Sequence, residues 1–245
     1  MYIFFKQQGQ VLGNLTKNAE SQVQEKIQYV GRLDPMASGI VLYIPKTINQ
    51  QNFMKMDKSY KFNIIFGIKT DSADCLGKIL HYQPTNSINI SHFLSTINLF
   101  SGKSYKQKYP PFSAYYIKKN GLKKPLWYYA RRGELEECDI PEHEVRVYFL
   151  DMDVKPMFMV RGCEYFLEQL GRLEDGLDLR KDDVMDGFRG IENMRLVSIP
   201  MVAKVSSGTY IRKLCEDIGE KMGMYCIADK IERIGYVLNH SCNAL

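Results

Sequence analysis

The sequence predicts an α+β fold in which helices flank a largely antiparallel central sheet. The 245 residues are 45% hydrophobic and 25% charged, which is typical of a folded domain and excludes disordered or fibrous classes. Strand-like and helix-like segments follow one another without a regular βαβ rhythm, so an all-parallel sheet is not expected. The chain shows neither an internal repeat nor a clear linker, and we therefore predict a single domain over 1–245.

The segment 1–82 is predicted to contain one helix and four strands. Thr16 is a candidate N-cap for a helix that carries Ala19, Val23, Ile27 and Val30 on one face, since these apolar residues recur at helical spacing. Short apolar or alternating runs predict strands at 1–6, 39–45, 60–68 and 77–82, the last being the return partner of the third.

The segment 91–234 is predicted to contain both helices and strands. The inward residues of a helix at 91–100 are Phe93, Leu94, Ile97 and Phe100. Strands are expected at 145–154 and 196–205. A helix opened by Gly208 and closed by Gly223 follows, with an apolar face formed by Ile211, Leu214, Ile218 and Met222. The segment 228–234 is predicted to add one or two helical turns.

The segment 163–195 has a different composition from its surroundings. It contains nine acidic and five basic residues, and glycines interrupt it four times. This pattern indicates an inserted helix pair or a solvated excursion from the surface. A polyanion would be repelled by it, so it is not expected to bind RNA.

Several classes of protein are excluded or disfavoured. The longest stretch without an acidic residue, Lys or Arg, 79–102, is too polar to span a membrane, and the first six residues lack the features of a signal peptide. The six cysteines form no CxxC pair, and His240 and Cys242 have no further ligands near them in sequence. We therefore expect no metal site and a reducing, cytoplasmic location.

A basic and aromatic segment, 101–133, dominates the charge distribution. It contains no acidic residue and nine basic ones, so the rest of the chain sums to −4 against a net charge of +5. Eight aromatic residues are interleaved with these cations. Cations neutralise phosphates and aromatic faces stack on exposed bases, so the segment predicts an RNA-binding surface. A solvated face whose aromatic residues belong to the core is the alternative.

The loop predicted before the strand at 39–45 holds a single carboxylate, Asp34, between Leu33 and Pro35. Pro35 fixes its own φ angle and disfavours helix at Asp34, while Gly31 and Gly39 permit sharp turns or a close approach. These features place a carboxylate on a stiff loop before a buried strand. Taken alone, they favour an ordinary Asx turn, with a catalytic carboxylate as the alternative.

Four ordered motifs resemble those of the TruB/Cbf5 family of pseudouridine synthases. Gly31-Arg-Leu-Asp-Pro-Met-Ala-Ser-Gly39 is similar to the active-site loop of that family. The second motif is Lys58-Ser-Tyr-Lys61, which continues to Gly67, Thr70-Asp71 and Asp74. The third runs from Pro110 to Lys118 and includes Gly121 and 128–133. The fourth is Ser207-Gly-Thr-Tyr-Ile-Arg212 with 217–223. Together they cover most of the range 1–234.

The resemblance implies roles for individual residues. Asp34 matches the essential aspartate, Arg212 the arginine that pairs with it, and Tyr60 the tyrosine that stacks on the flipped uridine. A nearby cation keeps a carboxylate ionised and oriented when water is excluded. The residues expected to contact RNA are Lys6, Tyr29, Arg32, Lys103, Lys106, Lys108, Tyr115, Lys118, Arg131 and Arg132.

The family resemblance also implies the reaction and the partner. The expected activity is cofactor-free isomerisation of a flipped-out uridine to pseudouridine, with uridine 55 in the T loop of tRNA as the target. The expected partner is the T arm of tRNA, bound by a monomer that contacts no membrane.

Two positions depart from the family pattern. Tyr29 stands where the family usually has His, and Gln7 where it has Pro. No C-terminal PUA domain, which relatives commonly carry, is expected after the last motif. These differences leave two alternatives open: a catalytically degenerate RNA-binding or tRNA-folding protein on the same scaffold, and a synthase redirected to another RNA.

Overall fold

The computed structural model describes residues 1–154, 158–175 and 179–237. Its strands are β1 (Tyr2–Lys6), β2 (Ile27–Val30), β3 (Ser38–Pro45), β4 (Asp57–Phe66), β5 (Ile68–Thr70), β6 (Ile79–Tyr82), β7 (Lys103–Lys108), β8 (Tyr116–Lys119), β9 (Leu122–Pro125), β10 (Glu142–Met152), β11 (Phe158–Arg161), β12 (Arg195–Val205) and β13 (Cys226–Val237). Its helices are α1 (Leu12–Val23), α2 (Gln51–Met54), α3 (Ile90–Ile97), α4 (Leu126–Arg131), α5 (Glu164–Gly171), α6 (Lys181–Arg189) and α7 (Ile211–Met222).

A large, mostly antiparallel sheet organises these elements. Within the described ranges its main path runs β1-β3-β13-β4-β12-β10-β7, with β2 added to β3 and β11 added to β12. Only the β13–β3 pairing in this sheet is parallel. Two small hairpins, β5–β6 and β8–β9, project from it. The predicted α+β class with a largely antiparallel sheet is confirmed.

The main core lies between the sheet and helices α1, α3 and α7. Phe62, Ile64 and Phe66 alternate with other buried residues along β4, which is central in the sheet and buried along almost its whole length. Leu214 and Ile218 of α7 are completely buried in the same core. As predicted, α7 ends where Gly223 adopts a left-handed conformation, with φ 67°.

The first helix differs from its prediction at both ends. It begins at Leu12, and the Thr16 hydroxyl donates a hydrogen bond to the Leu12 carbonyl, as it does inside a helix rather than at an N-cap. Gln24 then takes a left-handed conformation, with φ 52°, which ends the helix. The apolar residues of 27–30 therefore belong to β2, which pairs with β3.

The segment 228–234 is not helical, contrary to the prediction. It lies in β13, the strand between β3 and β4. A register shift between Asp229 and Glu232 breaks the two-residue alternation of this strand. The segment therefore lacks the regular alternation that identifies a strand: Ile227 and Ile231 are buried, whereas Ile234 is 38% exposed.

Two smaller predictions also need correction. The strand predicted at 60–68 is divided at Gly67, whose φ is 101°, so that the segment 79–82 pairs with β5, while β4 pairs with β12 and β13. In α3, Phe93 and Ile97 are buried as expected, but Leu94 is 39% exposed. The strands predicted at 145–154 and 196–205 correspond to β10 and β12.

The acidic segment 163–195 forms the expected helix pair, α5 and α6, but the pair is not a solvated excursion. Phe166 and Phe188 are completely buried and stack with ring centroids 4.4 Å apart. They pack in a second hydrophobic cluster with Ile65 and Ile68 of the sheet and its adjoining hairpin. The acidic side chains face outward while the apolar face is buried, so the pair is part of the folded body.

Among the described residues, no helix is both long enough and apolar enough to cross a membrane. The Cys242 and His240 considered for a metal site lie outside the described residues.

Candidate active site

Asp34 lies on the turn between β2 and β3, and its side chain is 34% exposed. The Ala37 amide donates a hydrogen bond to the Asp34 carbonyl, with an N···O distance of 3.1 Å, which closes the turn. The carboxylate is therefore presented to solvent by a short, internally bonded loop. This geometry matches the stiff loop predicted from Pro35 and its flanking glycines.

Lys6 secures this loop from beneath. Its side chain is completely buried, and Nζ donates hydrogen bonds to the carbonyls of Pro35 (2.8 Å) and Ala37 (2.7 Å). Burial lowers the pKa of Lys6 to about 8, although the nearby Asp34 opposes this effect. In this structure the Lys6 ammonium is enclosed and occupied by the Asp34 loop, so Lys6 supports that loop, and its contact with RNA stays a prediction.

Arg233 secures the same loop from the side of β13. Its guanidinium donates hydrogen bonds to the carbonyls of Ile40 (2.7 Å) and Gly31 (3.1 Å), which lie on either side of Asp34 in sequence. Arg233 is completely buried. The backbone of Gly39, with φ 110°, approaches that of Arg233 so closely that a Cβ atom there would lie 2.3 Å from the Arg233 carbonyl oxygen.

Arg212, at the start of α7, contacts Asp34 directly. Its Nε donates a hydrogen bond of 2.8 Å to Asp34 Oδ2, and its Nη1 and Nη2 donate to the carbonyls of Ser72 (2.6 Å) and Phe112 (3.1 Å). The side chain is only 3% exposed. Burial opposes its charge, but the carboxylates of Asp34 and Asp74 outweigh burial and raise the pKa of Arg212.

Asp74, on the loop between β5 and β6, is a second carboxylate near this arginine. Its Oδ2 lies 3.7 Å from Arg212 Nε, while Oδ1 accepts hydrogen bonds from the Leu76 amide and the Ser72 hydroxyl. Burial raises the pKa of Asp74, and Arg212 opposes this rise. Asp34 is thus the more exposed carboxylate of the pair, and Asp74 the more buried one.

Tyr60, on β4, lies in the same neighbourhood and is 7% exposed. Burial raises the pKa of its hydroxyl, while the charge of Arg233 and a hydrogen bond with it oppose the rise, and Asp34 adds to it. The phenol is therefore neutral at physiological pH. Of the three residues expected to form the site, Asp34 and Arg212 are in direct contact, and Tyr60 is near enough for the charge of Asp34 to affect its pKa.

The other predicted RNA-contacting residues occupy varied positions. Arg32 is exposed beside Asp34, and Tyr29 is half-buried on β2. Lys103 and Lys106 are exposed on the edge strand β7, and Lys118 is exposed on β8. These positions are compatible with contacts to RNA, which stay a prediction.

Acidic residues just after the basic segment pair with part of it. Lys108 Nζ lies 2.7 Å from Glu137, and Arg132 Nε lies 2.6 Å from Glu134, with the Arg132 guanidinium also over the Tyr128 ring. Arg131 is exposed on α4. Neighbouring carboxylates therefore compensate part of the positive charge of 101–133 in the folded protein.

The aromatic residues of the basic segment divide between structural and surface roles. Tyr129 is 2% exposed, and its hydroxyl donates to the Leu122 carbonyl, which ties α4 to the β8–β9 hairpin. Tyr115 is 40% exposed and stacks on Tyr109, which in turn stacks on His143. Some aromatic residues of the segment therefore belong to the core and others lie at the surface, while binding of RNA by the segment stays a prediction.

Sequence reasoning missed several residues around the site. Asp74 was within a recognised motif, whereas Arg233 was hidden by the bulged strand that contains it. Lys58 is also buried beside the loop, with Nζ donating to the Met56 carbonyl at 2.6 Å, and burial lowers its pKa to about 8. In the ranges that the structure describes, no three His, Cys, Asp or Glu side chains come together in a way that could hold a metal.

Comparisons with known proteins identify related sequences. A family model described as "TruB family pseudouridylate synthase (N terminal domain)" matches residues 19–157. The chain is 35% identical over 130 residues to tRNA pseudouridine synthase B of Caldanaerobacter subterraneus, covering 52% of this chain and 43% of the relative. It is 28% identical over 220 residues to tRNA pseudouridine synthase B of Aquifex aeolicus, covering 87% and 61% respectively.

The fold has a counterpart among solved structures. The crystal structure of a Cbf5-Nop10-Gar1 complex contains a chain that aligns with a TM-score of 0.53 at 14% identity, covering 96% of this chain and 48% of the other. At this identity the likeness concerns the fold alone. The chain spans about half the length of the curated relatives that it matches.

Proposed function

The chain belongs to the TruB family of pseudouridylate synthases, and on this premise we propose that it isomerises a flipped-out uridine in tRNA to pseudouridine, with uridine 55 of the T loop as its target. The proposed unit is the catalytic domain 1–245, acting as a monomer on the T arm. The observation that carries the proposal is the 2.8 Å contact between the half-exposed Asp34 carboxylate and the buried Arg212 guanidinium.

The chemistry assigns a separate task to each residue. The bond between C1′ and N1 of the uridine breaks, the base rotates and C5 joins C1′. The hydrogen on C5 leaves as a proton and N1 takes up a proton, so that no atoms are gained or lost overall. Asp34 assists cleavage and rejoining, since it is the carboxylate that solvent reaches. Arg212 keeps Asp34 ionised and oriented, because a buried cation favours a neighbouring anion.

Tyr60 is proposed to stack on the flipped base and to assist proton transfer. Burial raises the pKa of its hydroxyl, so the group is neutral at physiological pH and is available as a hydrogen-bond donor in the second task. The isomerisation is redox-neutral and moves no group between molecules, so the proposal needs no cofactor. The exposed lysines of 101–133 would neutralise phosphates of the T arm.

The proposal includes a cytoplasmic location. The five cysteines within the described ranges are free thiols, three of them buried. Free thiols are typical of a reducing compartment, which supports the location without establishing it.

Substitution of Asp34 by Asn tests the assignment. The amide keeps the shape of the side chain but is neither a comparable base nor a comparable nucleophile. The assay is release of tritium from C5-labelled uridine in a tRNA transcript, because C5 loses its hydrogen only when pseudouridine forms. We expect release by Asp34→Asn to fall below detection, while affinity for tRNA changes by less than about tenfold, equivalent to ~1.4 kcal/mol.

Asp151→Asn is a matched control, since Asp151 is an exposed carboxylate on β10. It should leave both activity and affinity unchanged. Two outcomes would reject the proposal in different ways. Full activity of Asp34→Asn would remove Asp34 from catalysis. A wild-type protein that binds tRNA tightly but releases tritium from no RNA would instead favour the degenerate binder.

A further inference from the structure

The helix pair of the acidic segment reaches the candidate site through Arg180. This residue immediately precedes α6, and its guanidinium forms a two-pronged ion pair with Asp71: Nη1 lies 2.7 Å from Oδ2 and Nη2 lies 3.1 Å from Oδ1. Its carbon Cζ lies 4.5 Å from the centre of the Phe112 ring. The Arg180 side chain is 15% exposed, so these contacts are largely shielded from water.

Both partners of Arg180 belong to loops that hold Arg212. Asp71 precedes Ser72, whose carbonyl accepts the 2.6 Å hydrogen bond from Arg212 Nη1. Phe112 provides the carbonyl that accepts the 3.1 Å bond from Arg212 Nη2. Arg180 thus contacts the side chains of two loops, and backbone carbonyls of the same two loops accept hydrogen bonds from Arg212.

Two further contacts hold Asp71 and α6 together. The Asp71 carboxylate also accepts a hydrogen bond from the Lys78 amide, which closes the loop between β5 and β6. The Lys78 ammonium pairs with Asp183 of α6 at 2.8 Å. The α6 helix is therefore attached to this loop at two points.

The backbone of Arg180 indicates that its position is imposed by these contacts. Its φ is 57° and its ψ 33°, a left-handed conformation that side chains other than those of Gly, Asn and Asp adopt infrequently. Such a conformation persists where surrounding contacts determine it. In this case the ion pair with Asp71 and the stacking on Phe112 supply them.

We propose that Arg180 is a positioning residue for the reaction: by bridging Asp71 and Phe112 it fixes the two loops that orient Arg212, and through Arg212 it orients Asp34. The acidic helix pair therefore supports the catalytic carboxylate, although its charge disfavours contact with RNA. This inference rests on the proposed function, because it assigns the pair a part in the same reaction.

The test compares Arg180→Ala, Arg180→Lys and Asp71→Asn with the wild type. Arg189→Ala is the control, since Arg189 lies on α6 and its pair with Asp186 is 54% and 73% exposed. Single-turnover tritium release reports the rate, filter binding reports the affinity for tRNA, and the NMR signal of the Arg212 Nε–H reports the bond to Asp34 independently of activity. Thermal unfolding shows whether each variant is folded.

We expect Arg180→Ala to slow single turnover by tenfold or more, to change tRNA affinity by less than threefold, and to shift or broaden the Arg212 signal. Arg180→Lys should recover only part of the rate, because an ammonium lacks the planar fork that pairs with Asp71 while stacking on Phe112. Asp71→Asn should resemble Arg180→Ala, and the double variant should be no slower than the slower single one. Arg189→Ala should behave as the wild type.

A rate within twofold of the wild type together with an unchanged Arg212 signal in Arg180→Ala would overturn the inference. So would a loss of tRNA affinity at normal rate, which would make Arg180 an RNA contact. If Arg180→Ala does not fold, Arg180→Lys is judged by the same criteria. A wild type inactive on every RNA would reject the proposed function, whereas the Arg212 signal would still test the positioning role.

Discussion

Replacing Gly39 by Ala should destabilise the loop that presents Asp34 in two ways, through backbone strain and through a steric clash with Arg233. Gly39 has φ 110°, and an added Cβ would lie 2.3 Å from the carbonyl oxygen and 2.6 Å from the nitrogen of Arg233. Both atoms are backbone, so no side-chain rotation relieves the overlap. The strands β3 and β13 must separate where Gly39 and Arg233 are paired.

The expected magnitude combines two contributions. A left-handed backbone costs about 1–2 kcal/mol for a residue with a Cβ atom. Overpacking adds about 1–3 kcal/mol when the surroundings must shift. Gly39→Ala should therefore lower the free energy of unfolding by about 2–5 kcal/mol, the sum of these two ranges.

Gly121→Ala isolates the first contribution. Gly121 also has a positive φ, 80°, but nothing lies within 4 Å of the position of its Cβ. Its free energy of unfolding should fall by about 1–2 kcal/mol only. Urea denaturation of both variants measures the difference, and tritium release under native conditions measures the effect on Asp34.

Activity should fall in Gly39→Ala for a structural reason. A displaced Arg233 loosens its bonds to the carbonyls of Gly31 and Ile40, which flank the Asp34 loop. Gly121→Ala should keep its activity because an added Cβ there meets nothing within 4 Å and so leaves the Arg233 bonds undisturbed. Equal destabilisation of the two variants would show that a clash with the Arg233 backbone does not contribute to the cost of a side chain at position 39.

Two further predictions concern lysines. In filter binding, the double variant Lys103→Gln with Lys106→Gln should reduce the slope of log affinity against log salt by about 1.4–1.8 units, since each phosphate contact contributes ~0.7–0.9. The control Lys6→Gln should leave this slope unchanged, because Lys6 is buried. A reduced slope in Lys6→Gln would contradict its enclosure. The second prediction is that the free energy of unfolding rises with pH between about 8 and 10.5. Burial lowers the pKa of Lys6 and Lys58 to about 8, so over this window the unfolded chain binds more protons than the native state. Below pH 8 both states are protonated and this effect is flat. In urea unfolding at pH 7.5, 8.5 and 9.5, Lys58→Met should reduce the slope by up to about 1.4 kcal/mol per pH unit, and an unchanged slope would show that Lys58 does not titrate in this window.

Sequence reasoning reached the Asp34–Arg212 pair because the motif residues were recognisable, although 178 positions separate them. Physical patterns also identified the central strands, whose apolar residues are continuous or alternate. The burial of Lys6, by contrast, could not be predicted from the sequence. A lysine is ordinarily solvated, and only the converging carbonyls of the Asp34 loop make its burial possible.

Arg233 and Arg180 lay beyond sequence reasoning for different physical reasons. The register shift before Arg233 interrupts the two-residue alternation that identifies a strand, so its place beside β3 was concealed. Arg180 acts across the fold on Asp71 and Phe112, and its neighbours in sequence reveal only an acidic helix. Contacts of this kind depend on the assembled tertiary structure.

The position of β13 has a consequence for biosynthesis. This strand separates β3 from β4 in the sheet, yet it is the last strand along the described chain. A nascent polypeptide emerging from the ribosome cannot join these two strands through β13, or place Arg233 against the Asp34 loop, until residues 226–237 have been made. Pairings over such sequence distances slow folding, because closing a long loop precedes the gain from the contact. Until that stage the edges of β3 and β4 are open to chaperones or to neighbouring chains, and the appearance of activity during translation would report the arrival of the final strand.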